Sequence, residues 1–260
     1  MLKILLFIIL FLLLIYYFNY KTKELFIDNN IKFLTAEETS RFLFKDADKY
    51  VNNFSNLDLY ARKVKTKNEY LELISTAGLI FNENQKNKLE NASVKADIFL
   101  NNYSSYVNGK DIARYKWIFG LIGNNYEEGM SHTRGNIIFI SQNTINNDLD
   151  SLIRILIHEK IHIYQRNNPN EMENIINNMG YKFSRLKFNI NKIRANPDLN
   201  DKIYKNDKGI EMIGLYKSET PYGISDILIT DFSIEHPYEK MAYEISEEYS
   251  NGLNSKYKNI

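Results

Sequence analysis

His158 and His162 stand four positions apart, and Glu159 directly follows the first of them. On a helix, residues at i and i+4 share one face with their side chains about 6 Å apart. Both imidazoles can then reach one metal ion while the Glu159 carboxylate leans over an open coordination position. The chemistry this suits is hydrolysis assisted by zinc (Zn2+), which lowers the pKa of a water it holds from about 15.7 to about 7. Glu159 would be the general base that takes that water's proton as it attacks a carbonyl. Without a metal, two imidazoles and a carboxylate on an apolar helix would leave polar groups unsatisfied, at about 1–3 kcal/mol each.

The composition leaves few other ligands. Among 260 residues there are four histidines and no cysteine, so a metal must be held by His, Asp or Glu. The same count excludes a disulfide scaffold, a Cys-ligated zinc finger, an iron–sulfur protein and a Cys-nucleophile enzyme. With 33 Lys+Arg against 32 Asp+Glu and no basic block, nucleic acid is not expected as a partner. A chain 44% hydrophobic and 25% charged, with 11 Gly and four Pro, reads as a folded globule rather than a linker protein.

The motif needs a buried helix, and the chain supplies one. Residues 146–166 read as one long helix, apolar on nearly all sides except at its end, with Asn147 or Asp148 as its cap. Strands are predicted before it at 115–123 and 136–141, from their β-branched and aromatic content. After it come a short helix near 171–178, a turn at Asn196-Pro197-Asp198, and strands at 210–216 and 226–231. A final helix opens at Pro237, whose missing N–H suits a first turn, and runs to about Ser250. Ahead of all this, residues 24–110 look helical. Thr35 with Glu38 and Thr66 with Glu69 are capping-box patterns, the first opening a helix through about Phe54, and a third helix is expected over 83–100.

The first residues are a different matter. Ile4 to Phe18 form an unbroken apolar and aromatic run flanked by Lys3, Lys21 and Lys23. With Met1, Leu2 and Tyr20 the stretch just reaches the lower limit of about 17 residues for a spanning helix, and Tyr16, Tyr17 and Tyr20 would form an aromatic belt. No small-x-small cleavage pair follows, so an uncleaved signal anchor is expected rather than a removed signal peptide. The expected fold is therefore α+β: a transmembrane anchor (1–22), a helical subdomain (23–110), and a catalytic region (111–260) with a small, mostly antiparallel sheet and a buried motif helix.

The H-E-x-x-H motif and its strand-before-helix order resemble the zincin metallopeptidases. Gln165, Arg166 and Asn168 stand where the metzincin branch continues its motif, so that branch does not fit. Glu239 with Ala242, three residues on, resembles the E-x-x-A pattern of the gluzincin branch. The resemblance implies Glu239 as third zinc ligand, with His236, Glu235 and Glu244 as alternatives. The 77 positions from His162 to Glu239 exceed those of compact members, which makes the hairpin at 210–231 an insertion. HEKIHIYQR, NPDL and HPYEKMAYEIS are also similar to a group of uncharacterised metallopeptidases from large DNA viruses and marine microbes.

The likeness further implies that strand 136–141 is an edge strand pairing with an extended peptide. His132 and Arg134, just ahead of it, would then face the cleft and steady the substrate; a solvated surface loop is the other reading. Tyr243, one turn beyond Glu239, and Tyr222 are candidate donors to an oxyanion, and His236 is a further candidate beside the third ligand. The expected activity is that of a membrane-anchored zinc metallopeptidase acting on a peptide or protein, with the lipid bilayer as its other partner. The alternatives are a catalytically silent zincin module serving as a membrane-tethered interaction or structural protein, and a zinc hydrolase of another amide.

Overall fold

A computed structural model of the chain describes residues 7–17, 21, 30–187, 191–230 and 234–252. Residues 7–17 form a helix (α1) whose side chains are all exposed, Phe7 and Tyr16 at 71%. The two ends of the apolar run Ile4–Phe18 lie outside the described residues. Among the described residues no helix is long and apolar enough to cross a membrane.

The fold is α+β. Its central sheet takes β1 (Ile31–Phe33), β3 (Trp117–Ile122), β5 (Ile137–Ser141) and β4 (His132–Arg134) in that order, with β2 (Gly78–Leu79) also on β3. The sheet is mixed. β1 and β5 run parallel to β3, whereas β2 pairs antiparallel with β3 and β4 with β5. The parallel centre follows from connection length, since parallel neighbours need a long crossover and β1 is followed by a whole helical layer before β3. Antiparallel pairing holds in the two smaller sheets, β6 (Lys182–Leu186) with β7 (Lys202–Lys205) and β8 (Glu211–Met212), and β9 (Gly214–Tyr216) with β10 (Ile227–Ile229).

The helical layer between β1 and β3 comprises α2 (Ala36–Lys45), α3 (Asn56–Ala61), α4 (Lys67–Ile74), α5 (Glu83–Asn102) and α6 (Gly109–Ala113). Thr35 caps α2 in a full capping box with Glu38. That helix ends at Lys45 rather than near Phe54, because Asp46 turns left-handed (φ 45°) and its carboxylate takes the N–H groups of Val51 and Asn52. Thr66 caps α4, but Glu69 reaches the N–H of Lys65 instead of completing a box. This layer is not a separate globule. Its strands β1 and β2 belong to the central sheet, and Leu89, Ala96 and Leu100 of α5 share one core with the motif helix.

The remaining helices follow β5: α7 (Gln142–Asn146), α8 (Leu149–Asn167), α9 (Pro169–Asn178) and α10 (Pro237–Gly252). The long helix expected over 146–166 is α8, which starts at Leu149; of the two cap candidates it is Asp148 that caps it, accepting the N–H of Ser151 at 2.9 Å.

Candidate metal centre

α8 carries His158, Glu159 and His162, and its apolar side chains fix which way they point. Leu152, Ile153, Leu156, Ile157 and Ile161 are fully buried between the sheet, α5 and α10. Each such burial is worth about 1.5–3 kcal/mol, so rotating α8 would cost far more than the histidines could return. α10 crosses it closely because Ala242, fully buried, presents no bulk at the crossing. Pro237 opens α10, and Glu239 in its first turn is thereby set against both histidines.

Three ligand atoms converge there. The Nε2 atoms of His158 and His162 are 3.0 Å apart, and Oε2 of Glu239 lies 3.3 Å from the first and 3.6 Å from the second. Atoms bound at 2.0–2.2 Å around one tetrahedral ion must stand roughly 3.3–3.5 Å from each other. The three side chains could therefore hold a metal ion with little adjustment.

Hydrogen bonds prepare them for it. Gln165 donates to the Tyr238 carbonyl at 3.1 Å, so its Oε1 is the acceptor for His162 Nδ1 at 2.8 Å. His162 must then carry its proton on Nδ1 when neutral, leaving the Nε2 lone pair turned to the centre. Oε1 of Glu239 accepts from the Asn196 amide at 3.1 Å, leaving Oε2 for the histidines. Burial opposes charge on both groups, but mutual attraction wins. Glu239 is held well below the carboxylate range by the two histidines, and His162 is raised to about 9 by Glu239 and Asp198.

Glu159 differs. It is 4% exposed, and its Oε2 has no hydrogen-bond partner, an uncommon state for a buried carboxylate oxygen. Burial, then the nearby Asp198 charge, push its pKa well above the usual range, while His162 pulls the other way. A carboxylate with a raised pKa and a free oxygen beside side chains that could hold a metal is equipped to take up a proton.

A cleft of about 620 Å³ opens onto the centre, walled by Met130, Ile155, Tyr243 and the 194–198 segment, with Glu159 and Asp198 lining it. The Tyr243 ring packs on His158, 4.6 Å between centroids, and is 49% exposed. It is the one oxyanion candidate brought to the metal side chains; Tyr222 is 72% exposed and is not among the residues lining the cleft.

The other sequence candidates have different work. Arg134 does not face the cleft: fully buried, it pairs with Asp46 and Asp48 and donates to Tyr126. A solvated loop is equally excluded for it. His132 reaches the cleft wall, but both ring nitrogens are engaged, with the Met130 carbonyl at 2.9 Å and the Tyr126 hydroxyl at 3.1 Å. His236 turns away from the metal side chains. Its Nδ1 accepts the N–H of Tyr238 at the start of α10, and burial pushes its pKa down to about 3. It is a helix cap, not a ligand. Glu235 is bound by Arg194 and Asn196, and Glu244 by Lys240 and Tyr106.

The expected substrate edge also moves. β5 is internal and β4 is outermost. Yet the outward-facing groups of β4 are already bonded, the Thr133 N–H to Asp198 and its carbonyl to Arg166. The second of these bonds comes from α8, and the first from the Asn196-Pro197-Asp198 segment, read from sequence as a turn. Its one sequence signal was three polar residues within five positions, Arg194, Asn196 and Asp198. Gln165, at three positions from His162, was legible only as an i+3 neighbour on the ligand face.

No family model, no curated protein and no solved structure matches the chain.

Proposed function

We propose that the chain is a zinc-dependent metallopeptidase tethered to a membrane. The observation that carries this reading is the unpartnered Oε2 of Glu159, buried beside three side chains with tetrahedral ligand spacing. His158, His162 and Glu239 would hold zinc, which when bound supplies Lewis-acid polarisation and an acidified water. Glu159 takes the proton at Oε2 and returns it to the leaving amine. Tyr243, at the mouth of the cleft, donates to the oxygen of the scissile carbonyl as it gains charge. The tether is the apolar run Ile4–Phe18, supported by its length and its flanking lysines and tyrosines.

Zinc content and peptide cleavage measured together test this. Glu159→Gln should keep zinc and lose hydrolysis, whereas His162→Ala should lose both. Full zinc stoichiometry in the His162→Ala protein would sink the ligand assignment. The bonded edge of β4 favours one second reading, a silent zincin-like module that binds without cleaving. Under it, wild type and Glu159→Gln would be equally inert toward peptides.

A further inference from the structure

We infer that Asn196 is a positioning residue for the metal centre, holding Glu239 so that it offers one oxygen, not two. The inference rests on the metal reading above and adds to it a residue outside the ligand helices.

The amide orientation follows from its partners. Oδ1 of Asn196 receives the backbone N–H of Asp198 at 3.0 Å, and a backbone N–H can only donate. Nδ2 therefore faces the two carboxylates, with Glu235 Oε1 at 2.7 Å and Glu239 Oε1 at 3.1 Å. Its two hydrogens are both used. The segment bearing it is itself fastened at each neighbour. The Ala195 N–H donates to buried Asp58 at 2.8 Å, the Pro197 carbonyl accepts from Arg166 at 3.0 Å, and Arg194 pairs with Glu235. Asn196 is thus a fixed donor, not a side chain that follows Glu239.

The consequence for Glu239 is geometric. A carboxylate free to turn can give both oxygens to one ion and occupy the position next to Glu159. Oε1 is bonded to Asn196, and Oε2 is the oxygen that lies 3.3 and 3.6 Å from His158 and His162. A metal held by these three side chains would then keep the position beside Glu159 open to water. Outer partners of this kind commonly set ligand orientation and tune metal affinity.

Two substitutions in the full chain test this. Asn196→Asp keeps the acceptor for Asp198 but replaces the donor with a third carboxylate oxygen; Asn196→Ser is too short to reach Glu239. Zinc affinity, measured by chelator competition, should fall about 10- to 100-fold in both. The visible absorption of the Co2+-loaded proteins should shift from that of wild type, while the metal-free proteins still melt cooperatively. Unchanged zinc affinity and an unchanged Co2+ spectrum overturn the inference. So does loss of cooperative melting in both metal-free variants, which would make Asn196 a fold staple. A wild-type chain that takes up no zinc overturns the metal reading instead.

Discussion

One oxygen of Asp198 accepts both the backbone N–H of Thr133, at 2.6 Å, and its hydroxyl, at 2.8 Å. Thr133 is the middle residue of β4, and its N–H is the one that points away from β5. A side chain therefore satisfies a group that an edge strand normally leaves open to another chain. Asp198→Ala should expose that amide. A hydrogen bond to a charged acceptor is worth about 1.5–3 kcal/mol, so amide hydrogen exchange at Thr133 should quicken by about 10- to 150-fold. Exchange as slow as in wild type would show that something other than Asp198 closes the edge.

Tyr243 lies against His158 through its ring, so its hydroxyl can be removed without emptying the space. If the chain is the zinc peptidase proposed above, Tyr243→Phe should leave zinc affinity unchanged and lower kcat by about 100-fold, the usual effect of losing one oxyanion donor. KM should change little, because the donor is needed as charge develops rather than for binding. A kcat equal to wild type in peptide cleavage assays would remove Tyr243 from the reaction.

Glu127 ties the leading helices to the loop after β3. Both its oxygens accept from Arg62, at 2.9 and 2.6 Å, and Tyr70 donates to it as well. It does so from a left-handed backbone (φ 44°), and Glu128 beside it is left-handed too. Removing one member of a buried pair leaves the other uncompensated, so Glu127→Ala should destabilise by about 3–5 kcal/mol in urea denaturation at pH 7. The pH dependence has a definite sign. Burial opposes ionisation of Glu127, but Arg62 outweighs it and holds the pKa below 4.5. The unfolded chain thus protonates first, and this stabilisation, complete above about pH 4.5, is lost as pH falls through the lower folded value. The variant should show a shallower loss over that acid range.

What was legible in the sequence was what is local. The i, i+4 histidines follow from helical period, the caps at Thr35 and Asp148 from residue type, and the start of α10 from Pro237. Even Glu239 is three positions from its own marker, Ala242. The residues that were misread act over distance. Arg134 is 86 and 88 positions from the aspartates that bury it, and Asp198 is 65 from Thr133. Nothing within a window around either residue specifies its partner. His236 shows the converse: it sits three positions from Glu239 in sequence, yet one helix start turns it to the backbone N–H of Tyr238. Proximity along the chain does not set direction.

Lys160, an unspecified position inside the motif, makes the last case. It does not line the cleft that Glu159 lines; it is fully buried, with its Nζ 2.6 Å from Asp97 and 4.0 Å from the Trp117 ring centroid. Trp117 donates to the other Asp97 oxygen at 2.9 Å. Burial lowers the Lys160 pKa to about 8 from an ordinary 10.5, with Asp97 resisting. Between those values the unfolded chain holds more protons than the folded one, so this residue's contribution makes stability rise as pH increases from about 8 to about 10.5. Lys160→Met should abolish that rise and, by stranding Asp97, destabilise by about 3–5 kcal/mol at pH 7. Adding Asp97→Asn should recover most of the loss, since the neutral amide oxygen still accepts from Trp117. Equal denaturation midpoints for the single and double variants would show that the pair is not coupled, and that the motif helix is held by its apolar face alone.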